Sequence, residues 1–324
     1  MEKIYAASLD KNISKICLGT WAIGGRMWNG TDEQTAIATI NQALEEGINI
    51  IDTAPVYGLG ISETIIAKAI KLFPREDIII SSKAGLSWAN DKVYRDCSKN
   101  RVESEIHESL KRLNTEYIDI YFVHWPDKKV PIEELAYTYN KFLEKGLIRA
   151  IGLSNFSVSQ IEEFRKFSTV SFIQTPYNLF EKWSESTVIP YCMEHNIHVM
   201  AYSTICRGLL SGKFKTPPIF NGDDIRQFDP KYNELFQQYQ SAVEKLEVYS
   251  TNKLKKDILY LALKWVIRND NTFAILGARK PEQIKNLNNV FGWELTNNDI
   301  QQINEIYNQL IKSPIGDEFM APPE

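Results

Sequence analysis

Short apolar runs alternate with longer stretches of helical period along almost the whole chain. Strand-like runs fall at 15–20, 48–54, 78–83, 118–124, 150–154, 171–175, 198–203 and 273–277. Between them, at 32–46, 62–73, 100–113, 132–145, 158–167, 184–195 and 257–268, apolar residues recur every three or four positions. That spacing belongs to a helix with one buried face. A further segment, 281–290, follows the eighth strand and reads as helical. Cap residues support these boundaries: Thr31-Asp32-Glu33 and Ser62-Glu63 stand at helix starts, and Gly47 and Gly146 stand where helices end in the left-handed conformation.

Strict alternation with short connections implies parallel strands joined by right-handed crossovers. Eight such units over this length predict an α/β fold, a (β/α)8 TIM barrel, rather than an open doubly wound sheet. An open dinucleotide-binding sheet would carry G-x-G-x-x-G after its first strand, and Gly58-Leu59-Gly60 lacks the third glycine. Two segments fall outside the repeat. Residues 206–255 form a long insertion after the seventh strand, with a helix expected over 233–251, and insertions of this size commonly clamp a ligand. Residues 296–324 add a C-terminal helix, 297–311, and a proline-rich tail. No linker composition divides the chain, so a single domain over 1–324 is expected.

Composition narrows the function classes. A net charge of -4 argues against non-specific nucleic-acid binding, which needs an excess of Lys and Arg to neutralise phosphate. Cys17, Cys97, Cys192 and Cys206 show no C-x-x-C spacing, so neither a metal finger nor a redox motif is indicated, and no metal is expected. Few, unpatterned cysteines suit a reducing compartment. The start of the chain lacks a signal-peptide pattern, and no apolar run nears the ~18 residues of a membrane span. A cytoplasmic protein is expected, with no membrane partner.

Chemistry enters at the strand ends. Asp52, Lys83 and His124 end or follow the second, third and fourth apolar runs, and Tyr57 lies five residues beyond Asp52. At the C-terminal rim of a barrel these four side chains converge. Each alone has an ordinary structural account; together they suit proton transfer to a carbonyl. Lysine beside a phenol favours phenolate and lowers its pKa, aspartate keeps the lysine charged, and histidine orients the carbonyl. No side chain donates hydride, so a nicotinamide cofactor is implied.

These residues, in this order, closely resemble the aldo-keto reductase superfamily over essentially the whole chain. Asp52-Thr53-Ala54-Pro55-Val56-Tyr57-Gly58, Lys83 and Val123-His124-Trp125 look like its catalytic tetrad. Gly152-Leu153-Ser154-Asn155-Phe156 and Gln174-Thr175-Pro176-Tyr177-Asn178 look like its carboxamide-binding segments. Gly19-Thr20-Trp21, the segment 206–213, Gly277-Ala278-Arg279-Lys280 and the tail Phe319-Met320-Ala321-Pro322-Pro323 resemble one bacterial branch, the general stress protein 69 and inositol-operon reductase type enzymes.

The resemblance implies reduction of aldehydes or ketones with NADP(H), Tyr57 supplying the proton, and a role in stress defence by carbonyl detoxification. Thr20, Trp21 and Asp52 would border the cofactor. Ser154, Asn155 and Gln174 would grip the carboxamide, and Tyr202 would stack on the nicotinamide. Ser203, Thr204, Ile205, Cys206 and Arg207, with Lys213 and Arg226, would surround the pyrophosphate. Gly277, Ala278, Arg279, Gln283 and Asn286 would hold the adenosine end. Arg279 beside Lys280 favours the 2′-phosphate of NADP, and a helix starting near Pro281 would add its dipole. Two departures stand out: Gln283 replaces an arginine common in relatives, and Thr175 replaces a proline.

Trp21, Trp88 and Trp125, with Trp28 in the first loop, would wall the substrate pocket and favour a small-molecule carbonyl substrate. Two rival readings keep the barrel. One is a cofactor-sensing regulatory subunit, as in the potassium-channel β-subunits of the superfamily. The other is a hydrolase or aldolase with a Schiff base on Lys83, which leaves Tyr57 unused.

Overall fold

In the computed structural model, which describes residues 1–90, 92–315 and 321–324, eight parallel strands close into a barrel. They are β1 (Ile16–Gly19), β2 (Ile50–Asp52), β3 (Ile79–Ala84), β4 (Ile118–Val123), β5 (Ile148–Ser154), β6 (Phe172–Pro176), β7 (His198–Tyr202) and β8 (Thr272–Gly277). They neighbour one another in chain order, and β8 pairs with β1 to complete the ring. The predicted (β/α)8 architecture is the observed one.

Alternation of side chains across each strand builds two cores. Inward residues, including Cys17, Ile50, Ile79, Ile120, Phe172, Met200 and Phe273, fill the barrel. Outward ones, such as Ile51, Ile80, Tyr121, Leu153 and Ile173, pack under the helices α1 (Glu33–Glu45), α2 (Ile61–Ala69), α3 (Lys99–Leu113), α4 (Ile132–Glu144), α5 (Val158–Arg165) and α6 (Val188–Glu194). Asp32 caps α1 by accepting from Thr35 N at 2.8 Å. Gly47 and Gly146 take φ of 88° and 69° beyond α1 and α4, as their positions require.

The pattern missed two antiparallel hairpins. Lys3–Ala6 pairs with Lys11–Ser14 and inserts Ala6 and Ile13 into the inner core, closing the N-terminal end of the barrel. Asn49, just before β2, fastens it by donating to Asn12 O and accepting from Ser14 N. Leu86–Ala89 pairs with Lys92–Arg95 beyond β3, at the opposite end. Both hairpins have strands of four residues, too short for their alternation to stand out.

The insertion after β7 holds short 3₁₀ turns followed by α7 (Phe236–Tyr249) and leads to α8 (Ile258–Val266). Its loop closes over the first barrel loop: the Asp223 carboxylate accepts from Met27 N at 2.7 Å and Asn29 N at 2.8 Å. The segment after β8 is not one helix. It forms two 3₁₀ turns, Pro281–Gln283 and Leu287–Val290, split by Asn286 in the left-handed region at φ 66°. So short a turn has no macrodipole to offer a phosphate, which corrects that expectation. A C-terminal helix, α9 (Asn297–Leu310), starts in a Thr296 capping box. Residues 322–324 then lie against the hairpin of 86–95, where Arg95 Nε donates to Pro322 O at 3.0 Å. Phe319 and Met320 fall outside the described residues. No described helix is long and apolar enough to cross a membrane.

Candidate active site

Strand parity decides what reaches the mouth. On five of the strands an inward core residue has a polar residue two or four positions later on the same face: Ile50 then Asp52, Ile79 then Ser81 and Lys83, Phe122 then His124. Phe172 is followed in this way by Gln174, and Met200 by Tyr202. These side chains converge below a cavity of about 970 Å³ at the C-terminal end of the barrel.

At its floor, Lys83 and Asp52 form a buried ion pair. Lys83 Nζ lies 2.8 Å from Asp52 Oδ2 and 3.0 Å from Oδ1, and donates to Thr53 O at 2.8 Å. Asp52 Oδ1 also accepts from Ser81 Oγ at 2.7 Å and Gln174 Nε2 at 2.9 Å. The pair persists in a buried setting because these further hydrogen bonds satisfy both partners. Lys83 is fully enclosed and touches the cavity only through what stands above it.

Above it stands Tyr57. The ammonium lies 4.9 Å from the centre of its ring, and the His124 ring meets it edge-on at 6.0 Å. Trp21 stacks on the other side at 6.2 Å. Backbone contact fixes this platform: a Cβ on Gly58, whose φ is +66°, would sit 2.1 Å from Gly24 O.

Burial, reinforced by the Asp52 charge, holds the Tyr57 phenol well above its ordinary pKa. Sequence reasoning expected Lys83 to lower it. In the structure Asp52 offsets the ammonium, whose own pKa is lowered by burial against the opposing pull of Asp52. Burial, with the Lys83 charge, pushes His124 well below its usual range. At neutral pH the site therefore presents a protonated phenol beside a neutral imidazole.

The cavity extends from this floor as a groove across the mouth. One wall is apolar and aromatic, formed by Trp21, Trp28, Leu86, Val93, Trp125 and Pro322. Trp88 is on the hairpin but outside the lining, with the Arg101 guanidinium 5.1 Å over its ring. Along the rest of the groove lie Thr20, Ser154, Asn155, Gln174, Tyr202, Ser203, Thr204, Ile205 and Arg207. Asn155 joins strand ends, donating to His124 O at 3.0 Å and accepting from Tyr202 OH at 2.8 Å.

The far end is cationic. Lys213, Arg226, Arg279 and Lys280 line it with Gly277, Ala278 and Gln283. The Lys213 pKa is lowered by burial and by the charges of Arg226 and Lys280, the mark of cations crowded together. Arg226 is held by a two-bond pair with Asp224. Arg279 reaches across to Trp28 O and Gly30 O at 2.9 and 2.6 Å, and so fastens the first loop to the end of β8. Gln283 Oε1 accepts from the backbone N–H groups of Arg279 and Lys280. Cys206 is buried with Sγ 3.0 Å from Asn178 Oδ1, and Asn286 is exposed beyond the groove; neither lines it.

A long groove with a hydrogen-bonding middle, an aromatic end over an acid-base floor and a cationic end fits a dinucleotide bound through its phosphates. Among the described residues no three His, Cys, Asp or Glu side chains are grouped to hold a metal ion. Sequence reasoning missed Ser81, although parity with Lys83 pointed to it. It also missed the wall residues Leu86 and Val93. It gave Ser62 to helix capping, whereas the Ser62 hydroxyl turns inward to Thr20 and Thr53.

Comparison with known proteins agrees with this fold. A model of the Aldo/keto reductase family matches residues 15–308. Aldo-keto reductase YhdN of Bacillus subtilis (strain 168) is 45% identical over 100% of this chain and 98% of its own length. NADH-specific methylglyoxal reductase of Escherichia coli (strain K12) is 33% identical over 88% and 92%. Among solved structures, glycerol dehydrogenase AKR11B4 from Gluconobacter oxydans superposes with a TM-score of 0.89 at 41% identity, covering 99% of each chain.

Proposed function

The chain belongs to the aldo/keto reductase family of oxidoreductases, and from that premise we propose that it reduces aldehydes and ketones to alcohols with NADPH. The observation that carries the proposal is the buried Asp52–Lys83 pair beneath Tyr57, with a neutral His124 at its edge. When bound, a nicotinamide cofactor supplies the hydride. This chain's residues do the rest. Ser154, Asn155 and Gln174 would hold the carboxamide, and Tyr202 the ring. The carbonyl oxygen would rest between Tyr57 and His124, which donate hydrogen bonds to it and polarise it. Tyr57 would deliver its proton to that oxygen as negative charge develops there, and the Lys83 ammonium would stabilise the phenolate left behind.

The aromatic wall suits a small aldehyde, a dicarbonyl or an aromatic ketone, a range in keeping with a relative named for methylglyoxal reduction. Support for NADPH comes from the crowded cations Lys213, Arg226 and Lys280, which a 2′-phosphate would relieve. Its competitor is NADH, the cofactor in the name of that same relative. A cytoplasmic role in clearing reactive carbonyls under stress completes the reading.

The test is oxidation of NADPH and NADH against a panel of carbonyls, with wild type and Tyr57→Phe side by side. Turnover that drops by about a hundredfold or more without the hydroxyl supports the reading. Equal rates in both proteins would sink the acid role of Tyr57. Tight cofactor binding with no turnover in either would favour a cofactor-sensing protein instead.

A further inference from the structure

Three buried hydroxyls cluster beside the Tyr57 segment, and of these only Thr20 reaches the cavity lining. Ser62, Thr20 and Thr53 are all fully enclosed. Ser62 Oγ donates to Thr20 Oγ1 at 2.7 Å and lies 2.9 Å from Thr53 Oγ1. Thr20 Oγ1 donates in turn to Asp52 O at 2.8 Å. The cluster therefore ties the first residue beyond β1, the first beyond β2 and the opening turn of α2 into one unit.

Both members of the acid pair hang from it. Lys83 Nζ is anchored by the Asp52 carboxylate and by Thr53 O, so the backbone at 52–53 sets where the ammonium sits. Tyr57 is held from the other side, since Ser62 N donates to Tyr57 O at 3.2 Å. Ser62 thus contacts both anchors: its N–H holds the backbone of Tyr57, and its hydroxyl holds the segment on which Lys83 rests. We propose that Ser62 is a positioning residue that fixes the separation between Tyr57 and Lys83.

The proposal rests on the reductase reading, and its logic is geometric. A side-chain hydroxyl in the first turn of a helix ordinarily caps the helix or faces water. Here it is directed at two other buried hydroxyls, in a place where alanine would fill most of the volume. Without it Thr20 and Thr53 lose their common partner, and the turn carrying Tyr57 is free to ride up from the floor. The charged and titratable groups facing the pair are Asp52 on β2, His124 beyond β4, Cys17 below Asp52 and Glu63 on α2. None is altered by replacing Ser62.

The experiment compares wild type, Ser62→Ala, Thr53→Val and the double variant. Turnover is read alongside the pH titration of the ring resonances of isotope-labelled Tyr57, assigned by their loss in Tyr57→Phe. A phenol that rises from the floor leaves behind part of its burial and the Asp52 charge, the two causes that hold its pKa up. The expected result is a titration of Tyr57 displaced to lower pH in Ser62→Ala, and a kcat about tenfold lower, from the misplaced hydroxyl, with the cofactor Kd unchanged. Thr53→Val should act in the same direction, and the double variant should lose less than the two singles together. A Ser62→Ala protein that melts earlier yet keeps the wild-type Tyr57 titration would overturn the proposal, whatever its rate. Should Ser62→Ala fold poorly, the Tyr57 titration in Thr53→Val decides in its place, a displacement supporting the positioning role and an unmoved titration overturning it. Because the resonance reports Tyr57 without turnover, failure of the positioning role is distinguishable from failure of the reductase reading.

Discussion

Arg95 and Pro322, 227 positions apart in the chain, meet at the rim of the cavity, where Arg95 Nε donates to Pro322 O at 3.0 Å and Pro322 forms part of the cavity wall. The same guanidinium donates to Pro126 O at 2.9 Å and lies 5.1 Å over the Trp125 ring. One side chain thus sets two pieces of the substrate wall. Arg95→Ala should loosen both and raise KM for a small aldehyde by about tenfold, while bulkier carbonyls lose less or gain. A size series of substrates measures this. A uniform loss across the series would mean that the wall does not select by size.

Lys83→Met leaves the Asp52 carboxylate buried without its counter-ion. It should abolish turnover and cost about 3–5 kcal/mol of stability, read by urea unfolding. Adding Asp52→Asn removes the stranded charge, and the double variant should recover part of the stability but none of the activity. Equal stability of the single and double variants would show that the cost lies in packing rather than charge.

The pKa directions fix the shape of the pH profile. His124 is neutral because burial and Lys83 depress its pKa, so it charges only in acid well below its ordinary range. Tyr57 keeps its proton into the alkaline range. Reduction should hold a flat kcat from about pH 6 to beyond the ordinary phenol range at about pH 10, and fall only as the raised phenol ionises. Alcohol oxidation, which needs the phenolate, should rise with pH over the same range. An inflection in kcat near the free histidine value would contradict a neutral His124.

Gly58→Ala tests the backbone platform. The position combines φ +66° with a Cβ that would stand 2.1 Å from Gly24 O. A loss of about 2 kcal/mol or more is expected, with a fall in kcat as Tyr57 shifts. Gly30→Ala is the control: φ is +79° but nothing lies within 4 Å of the added carbon, so only the conformational strain should appear. Matching losses at the two positions would show that the close approach to Gly24 contributes nothing.

The barrel and its floor were legible because both follow from strand parity. Asp52, Lys83 and His124 declare themselves as polar residues that interrupt apolar runs on the inward face. What parity cannot show is how a side chain is spent. Ser62 has the composition of a helix cap, and only the tertiary arrangement turns its hydroxyl toward Thr20 and Thr53. Arg279 has the chemistry of a phosphate ligand, yet its fork is occupied by the carbonyls of Trp28 and Gly30. The helix expected after Pro281 failed for a local reason, since Asn286 adopts a left-handed conformation that a helix interior does not accept. Pro322 arrives at the cavity from the far end of the chain, a long-range encounter that no local pattern encodes.

The hairpin of Lys3–Ala6 and Lys11–Ser14 has a consequence for traffic. Ala6 and Ile13 extend a core that already fills the barrel, so no passage runs through its base and whatever reaches Tyr57 must come and go through the upper opening. A dinucleotide lying along the groove would become the lower surface of the berth that the carbonyl then occupies. Arrivals would be queued, the dinucleotide first and the carbonyl second, and departures would run in reverse. The filled base, far from any reacting atom, thereby leaves a single door to the chemistry above it.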